Sequence, residues 1–439
     1  MSKINTHTIP GFIELLPEEQ LLFEWVKTTI EKSYRLFGFA PIDTPVIERA
    51  EVLLAKVGGE TSKQIYKIAK ESEEQALRFD LTVPLARYVA EHYAKLTFPF
   101  RRYHIAKVFR GERPQKGRYR EFFQADIDIV GDGELSSAND AEIVAVINHI
   151  FKELGFSDYV IHINNRKILI GFLTALGKLQ DATEILRIID KVEKIGVDAV
   201  RQDLSRLGVD ADTTNRIISL ITLKGNSDEI FEKLEALNVR NDLFDLGLAE
   251  LKEVSQLLQV LNVSAQNYMI NLSIVRGLDY YTGTVYETIL GCCPEIGSVC
   301  SGGRYDNLAE CYTNRKLPGV GISIGLSRMF VPLLESGIFK TKRATPAEIL
   351  VLPLGDNLKY AFGITSAIRS LGISAQIFIE PAKPKKKFAF ADKQKFDFVI
   401  VVGEDEEKEH SFSLKNLTTG EQNKYSLDEL ETVIGKLFK

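Results

Sequence analysis

Between Pro114 and Pro294 the chain contains no proline. A helix interior tolerates almost none of this residue, because its ring removes a backbone donor and clashes with the preceding turn. The long proline-free interval therefore predicts a largely helical middle. From about Lys167 to Gln259 apolar residues recur at helical spacing, as in Ile185, Leu186, Ile188, Ile189 and Val192 and again in Leu251, Val254, Leu257 and Leu258. This reads as a small helical domain without obvious chemistry, flanked by regions of different rhythm. With 439 residues in all, and about 150 per domain as a prior, two or three domains are expected.

Ahead of the helical middle, an amphipathic pattern opens at Glu18 and runs through Phe23, Val26, Ile30, Tyr34 and Phe37 to Gly38. The Pro-bracketed run PIDTPVIE at 41–48 then predicts a strand. Residues 98–131 alternate like two antiparallel strands, YHIAKVFR and REFFQADIDIVG, joined by the charged loop GERPQKGRY. After the middle, 268–290 is β-rich, and SGGRYDNLA and PGVGISIGLSRMF supply Gly-rich turns leading to a helix. From about Ala347, strands alternate with helices (EILVLPL, SAQIFIE, FDFVIVVGE), predicting a parallel or mixed α/β sheet. Ser426 and Glu429 are spaced as a capping box for the last helix.

The formal net charge is −5, so no global positive field draws the chain onto nucleic acid, and any polyanion site must be local. Arg101 to Arg120 supplies one: eight Lys or Arg against the single acid Glu112, interleaved with Tyr103, Phe109, Tyr119, Phe122 and Phe123. Guanidinium groups beside buried aromatic surface are costly unless they are paired, and forked recognition of phosphate accounts for the expense. No run approaches the roughly 18 apolar residues of a membrane helix, and MSKINTHTIPGF lacks the apolar core of a secretory signal. A cytoplasmic protein with no membrane partner is expected. Cys292, Cys293, Cys300 and Cys311 lack paired C-x-x-C spacing and read as reduced thiols rather than a zinc site.

Three separated segments combine glycine with Arg, Tyr or acid groups and are expected to converge: 78–82 with 110–128, 276–287, and 301–328. In RFDLTVPLARY, Asp80 and Thr82 share one face if the segment is extended, and a carboxylate beside a hydroxyl suits an ammonium group. Asp80 could equally cap the helix that follows. On the second hairpin strand Phe122, Gln124 and Asp128 share a polar face that carries Gln and two acids, opposed by Phe123, Ile127 and Ile129.

These segments carry a resemblance. FRGERPQKGRYREFFQ resembles motif 2 of the class II aminoacyl-tRNA synthetases, and PGVGISIGLSR their motif 3; the helix and strand ending near Pro45 resemble motif 1. SIVRGLDYYTGTVYE and SGGRYD are similar to the two histidine-specific signatures of histidyl-tRNA synthetases, and on these the chain is identified as a member of that family. The resemblance implies an α+β fold: a class II antiparallel-sheet catalytic core (1–166 and 263–342) with a helical insertion (167–262), followed by an α/β anticodon-binding domain (343–439). It implies ATP-dependent activation of L-histidine to histidyl-adenylate and transfer to the 3' end of tRNA(His), with Mg2+ ligated mainly by ATP and water, in a homodimer formed through motif 1.

Residue roles follow from the same resemblance. Arg110 would contact the ATP α-phosphate, Phe122 stack on adenine, Glu112 face the adenine amino group, and Arg118 and Arg328 hold the outer phosphates. The substrate amino group would lie near Asp80, Thr82 and Gln124, with Asp128 and Tyr281 bracketing the imidazole and Tyr280 beside them. The floor of that pocket would be Gly302, Gly303, Arg304, Tyr305 and Asp306, with Tyr305 nearest the substrate. Arg276 would be the catalytic residue, a guanidinium opposite Arg110 that stabilises charge at the α-phosphorus. Arg113 and Gln115 would meet the tRNA acceptor end, and the run Lys383–Lys387 forms a local basic patch that suits RNA or solvent equally. Ser327 stands where the family commonly has an acid, Asn307 where Gly is usual, and Asp128 where some members have Glu. The alternative reading is a non-catalytic, histidine-sensing paralogue that regulates histidine biosynthesis.

Overall fold

The structure is a computed structural model and describes residues 4–55, 62–69, 74–115, 117–275 and 281–438. The chain divides into two compact units, Met1–Ile13 with Val26–Ile338 and Glu14–Trp25 with Phe339–Lys439. A helix over Pro17–Leu36 starts on a proline, whose missing N–H is no loss at that position, and places Glu18 and Glu19 in its first turn, where the dipole favours acids. It buries Phe23, Val26, Ile30 and Tyr34, the stripe expected at a period of 3.6. Gly38, at φ +77°, lies just beyond its end.

The strand expected over 41–48 is instead two short pieces. β1 (Ala40–Pro41) joins the main sheet, while β2 (Ile47–Arg49) pairs in a small antiparallel sheet with β4 (Gln75–Leu77), which also pairs β3 (Lys67–Ile68). Pro41 and Pro45 have no N–H to donate, and one unbroken ladder cannot form through them.

The main sheet takes in β5 (Phe100–Phe109), β6 (Glu121–Val130), β7 (Tyr159–Asn165), β8 (Tyr268–Ile270), β9 (Thr284–Leu290), β10 (Cys300–Tyr305) and β11 (Gly319–Ile324). Its order is β1-β5-β6-β11-β10-β9-β7-β8. The interior pairs are antiparallel, and only the outer pairs β1·β5 and β7·β8 are parallel. The hairpin read from sequence is β5·β6, with Phe100 opposite Val130 and Phe109 opposite Glu121. The helix Ala138–Glu153 buries Ile143, Val144, Ile147, Ile150 and Phe151. Each such side chain contributes about 1.5–3 kcal/mol of burial.

The proline-free middle is helical, from Arg166–Ala175 to Asp242–Val260. Those first and last helices meet at glycines. A Cβ on Gly171 would sit 2.4 Å from the Phe244 nitrogen, and one on Gly247 would sit 2.8 Å from the Ile168 nitrogen. Beside this contact Glu250 accepts from Asn165 Nδ2 at 2.7 Å and pairs with Lys167. Because β7 precedes the helices and its parallel neighbour β8 follows them, the helical segment is the crossover connection that a parallel pair requires.

The second unit contains β12 (Ile349–Pro353), β13 (Ala375–Ile377), β14 (Phe398–Val402), β15 (Ser411–Asn416) and β16 (Gln422–Ser426), ordered β13-β12-β14-β15-β16. The first three are mutually parallel and the last two antiparallel, giving the mixed sheet expected. Ile349, Val351, Ile400 and Val402 face one core, and Leu350, Leu352, Val399 and Val401 face another. Covering on both faces explains why these strands read as unbroken apolar runs. The Ser426–Glu429 capping box is formed. The Lys383–Lys387 patch is only partly a surface feature: Lys387 is buried, its Nζ donating to the Pro353 carbonyl at 2.5 Å. Among the described residues no helix is long and apolar enough to cross a membrane.

Candidate active site

Two adjoining cavities, of about 590 and 370 Å³, share Gln64, Arg110, Arg118, Gln124, Ser301 and Ser323. The larger is also lined by Asp80, Thr82, Asp126, Asp128, Tyr281 and Tyr305, and the smaller by Glu112, Phe122 and Arg328. The convergence expected of the three segments is present, and it sorts them: acids and tyrosines on one side, arginines around an aromatic ring on the other.

The segment at Asp80 is not extended, because Thr82 already begins the helix Thr82–His92. Asp80 Oδ1 accepts from the Val83 N–H at 3.1 Å, so it does hold the first helical turn. Its other oxygen, buried against the cavity, has no hydrogen-bond partner among the described residues. Burial pushes this carboxyl up to about 6, against the pull of the Val83 N–H and Arg110. Gln124 is similarly divided: Nε2 donates to Ser323 Oγ at 2.7 Å, while buried Oε1 is without a partner. Two unpartnered acceptors on one cavity, beside the Thr82 hydroxyl, suit a ligand ammonium group.

Asp128 lies deeper. Its Oδ1 accepts from the Tyr305 hydroxyl at 2.8 Å, and its Oδ2 pairs with Arg102, a guanidinium with no exposed surface. Burial outweighs that guanidinium and lifts Asp128 to about 6. Gly321 lies opposite Asp128 in β11, where any Cβ would fall 2.2 Å from Asp128 Oδ1. Only glycine leaves room for the carboxylate. Asp126 is also buried and lifted to about 7, chiefly by desolvation.

Around the smaller cavity Arg110 lies 5.1 Å from the Phe122 ring centroid and donates Nε–H to the Phe79 carbonyl at 3.0 Å. Arg118 pairs with Glu112 at 3.2 Å, and Arg328 Nη2 donates to the Ile296 carbonyl at 2.8 Å. Three guanidinium groups beside an aromatic face suit a polyphosphate attached to a planar base.

Comparison with known proteins agrees with this geometry. Residues 11–329 match the family model for histidyl-tRNA synthetase, and 348–437 that of an anticodon binding domain. The chain is 54% identical to the histidine–tRNA ligase of Clostridium tetani over 98% of both chains. It is 39% identical to the crystal structure of a Nostoc histidyl-tRNA synthetase, with a TM-score of 0.91 over 99% of this chain and all of that one. The chain belongs to the histidyl-tRNA synthetase family. The synthetase also shares its fold, at 21% identity and a TM-score of 0.77, with a Bacillus halodurans structure titled as an ATP phosphoribosyltransferase regulatory subunit/histidyl-tRNA synthetase; that structure covers 92% of this chain, which covers all of it. At that identity the likeness speaks to fold alone.

Some expectations for the synthetase need correction. Arg304 and Asp306 do not floor the pocket: Arg304 is buried against Asp140 at 2.7 Å and the carbonyls of Leu135 and Ser136, and Asp306 accepts from Thr282 Oγ1 at 2.6 Å. The Arg304–Asp140 pair ties β10 to the helix Ala138–Glu153. Arg113 and Gln115, expected at the tRNA acceptor end and not in the pocket, are exposed in the hairpin loop. Arg276 and Tyr280 lie outside the described residues. Ser327 has a local task, its Oγ accepting from the Phe123 N–H at 3.0 Å. Sequence reasoning missed Gln64, Ser301, Ser323 and, from the supposedly inert helical segment, Asp190 and Lys194, all of which line the larger cavity.

Proposed function

We propose that this chain is a histidine–tRNA ligase: it condenses L-histidine with ATP to histidyl-adenylate and diphosphate, then passes the histidyl group to the 3'-terminal adenosine of tRNA(His), releasing AMP. The observation that carries this reading is the pair of buried acceptors without partners, Asp80 Oδ2 and Gln124 Oε1, in a cavity that opens beside three arginines.

In this mechanism Asp80, Thr82 and Gln124 hold the substrate ammonium and aim its carboxylate at the α-phosphorus. Arg110 binds the α-phosphate and Arg276 stabilises the charge that develops on its non-bridging oxygens, so no side-chain nucleophile is needed. Phe122 stacks on the adenine, Glu112 faces its amino group, and Arg118 and Arg328 take the outer phosphates. Tyr281, Tyr280 and Tyr305 shape the side-chain pocket. Mg2+, which no ligand set here assigns, would be held chiefly by phosphate oxygens and water and would neutralise phosphate charge. Arg113 and Gln115, at the exposed loop, meet the acceptor end of the tRNA, and the second unit takes the anticodon stem. Two copies associate through the helix Pro17–Leu36 and the segment after it.

The test is exchange of labelled diphosphate into ATP without tRNA. Exchange with histidine but not with glutamine or asparagine is expected. Histidine binding without exchange would sink the ligase reading in favour of a sensor.

A further inference from the structure

The hairpin β5·β6 stops pairing where the residues of the smaller cavity begin. Its last matched pair is Phe109 and Glu121. At the next position only half of the exchange is made: the Arg110 N–H donates to the Arg120 carbonyl at 2.9 Å, but the Arg120 N–H donates to the Gly11 carbonyl at 2.8 Å. A regular antiparallel pair of this kind exchanges both bonds. The Gly11 carbonyl stands in for that of Arg110, and beyond it the two flanks splay into the loop that carries Glu112 and Arg118.

Gly11 is fixed in this place by its own backbone. The Phe12 N–H donates to the Ile9 carbonyl at 3.1 Å, so Pro10 and Gly11 are the central pair of a turn. Proline followed by a glycine at φ +91° is the type II arrangement. A Cβ on Gly11 would fall 3.0 Å from Pro114 Cγ and 3.0 Å from Arg120 Cγ. The Pro114 ring is rigid, and Arg120 is tied through Nε to the Glu112 carbonyl at 3.2 Å, so neither yields easily. On the other flank the Gly111 N–H donates to the Gln64 carbonyl at 2.7 Å. Each flank of the loop is thus held by a carbonyl from outside the hairpin. Arg110 and Arg118 line both cavities, while Arg113 and Gln115 adjoin Pro114 in the chain.

We propose that the Pro10–Gly11 turn is a positioning element for this loop: the Gly11 carbonyl sets the spread at which Arg110 and Arg118 meet the triphosphate, and with it the placing of Arg113 and Gln115 for the tRNA acceptor end. This rests on the ligase reading above.

The experiment compares the full native chain with Gly11→Val. ATP KM is read by diphosphate–ATP exchange, tRNA(His) KM by aminoacylation, and histidine Kd by calorimetry without ATP. Gly11→Val is expected to raise the ATP KM about 5- to 10-fold, the scale of one displaced backbone hydrogen bond, and the tRNA KM by a similar factor. The histidine Kd should stay within twofold of native, a separation that general damage to the fold would not produce. An ATP KM within twofold of native would overturn the proposal. So would a histidine Kd weakened as much as the ATP KM is raised. If Gly11→Val does not fold, Gly11→Ala, with the same Cβ on the same backbone, carries the same reading. A native chain that exchanges with no amino acid would instead overturn the ligase reading, and needs no variant to detect.

Discussion

Arg102 and Asp128 form an ion pair across the β5–β6 ladder, and neither side chain reaches solvent appreciably: Arg102 is 0% exposed and Asp128 3%. The guanidinium also donates to the Leu81 carbonyl, while its Nε and Nη1 have no hydrogen-bond partner among the described residues. Such a pair adds little net stability, but removing one member strands the other in a low-dielectric site.

Arg102→Met should therefore destabilise the protein by about 3–5 kcal/mol, read as a lower urea midpoint. Combining it with Asp128→Asn should restore part of the loss. A single variant within about 1 kcal/mol of native would show that Asp128 does not depend on this counter-charge.

Asp126 gives a pH signature. Its folded value, about 7, lies above the unfolded 3.8, so the folded state holds the extra proton and the stabilisation is present at low pH and lost as pH rises through 7. Asp80 and Asp128, both near 6, have the same sign, while His104, lowered to about 4 by burial, opposes it up to its unfolded value of 6.5. Asp126→Asn cancels only the first contribution. Relative to native, the ligand-free variant should gain about 2–3 kcal/mol between pH 5 and pH 8. A stability difference independent of pH would show that Asp126 is not buried in the way described.

Gly321→Ala places a methyl 2.2 Å from Asp128 Oδ1. Overpacking of this kind costs about 1–3 kcal/mol, and the displaced carboxylate should release Tyr305. Melting temperature should drop and the histidine KM rise, with the ATP KM little changed. A variant indistinguishable from native in both assays would mean that β6 and β11 yield more easily than their packing suggests.

Arg276→Ala should slow adenylate formation about 10²- to 10³-fold, the range for one donor to a developing oxyanion, as measured by single-turnover formation of the adenylate. Histidine binding should persist. Undiminished turnover would remove Arg276 from the chemistry.

Association through the N-terminal helix predicts a particle of about twice 49.3 kDa by light scattering at micromolar concentration. The exposed Trp25, Leu36, Val46 and Ile47 are candidates for what that contact covers. A monomer at that concentration would contradict the motif 1 assignment.

The β5–β6 hairpin was legible because its strands alternate and its loop is charged, and the same alternation placed Gln124, Asp126 and Asp128 on one face. Alternation names a face, however, and not the oxygen that remains available on it. Asp128 is engaged by Arg102 from β5 and by Tyr305 from β10, strands whose register with β6 the sequence does not state, so those partners could be seen only in three dimensions. Arg102 counted in the sequence as one charge in a basic run; its burial depends on β5 lying second from the sheet edge. The helical segment read correctly as helix, but Asp190 and Lys194 carry no pattern that distinguishes them from surface charges. Arg304 was misplaced for the converse reason: a motif flags the whole hexapeptide SGGRYD, while the strand sends Arg304 to Asp140 and Tyr305 to the cavity.

The seam at Gly171 and Gly247 bears on how the chain can be assembled and altered. Since the helical segment leaves and re-enters the sheet at one close contact, its ends are already held side by side by packing within the segment. Its length then adds little to the entropy of joining β7 to β8, a cost that grows only slowly with loop size. The segment is in effect a cassette on a short neck: shortening it beyond the seam, or exchanging it for another helical hairpin of the same base, should leave the sheet able to form while removing the part of the larger cavity's wall that Asp190 and Lys194 supply.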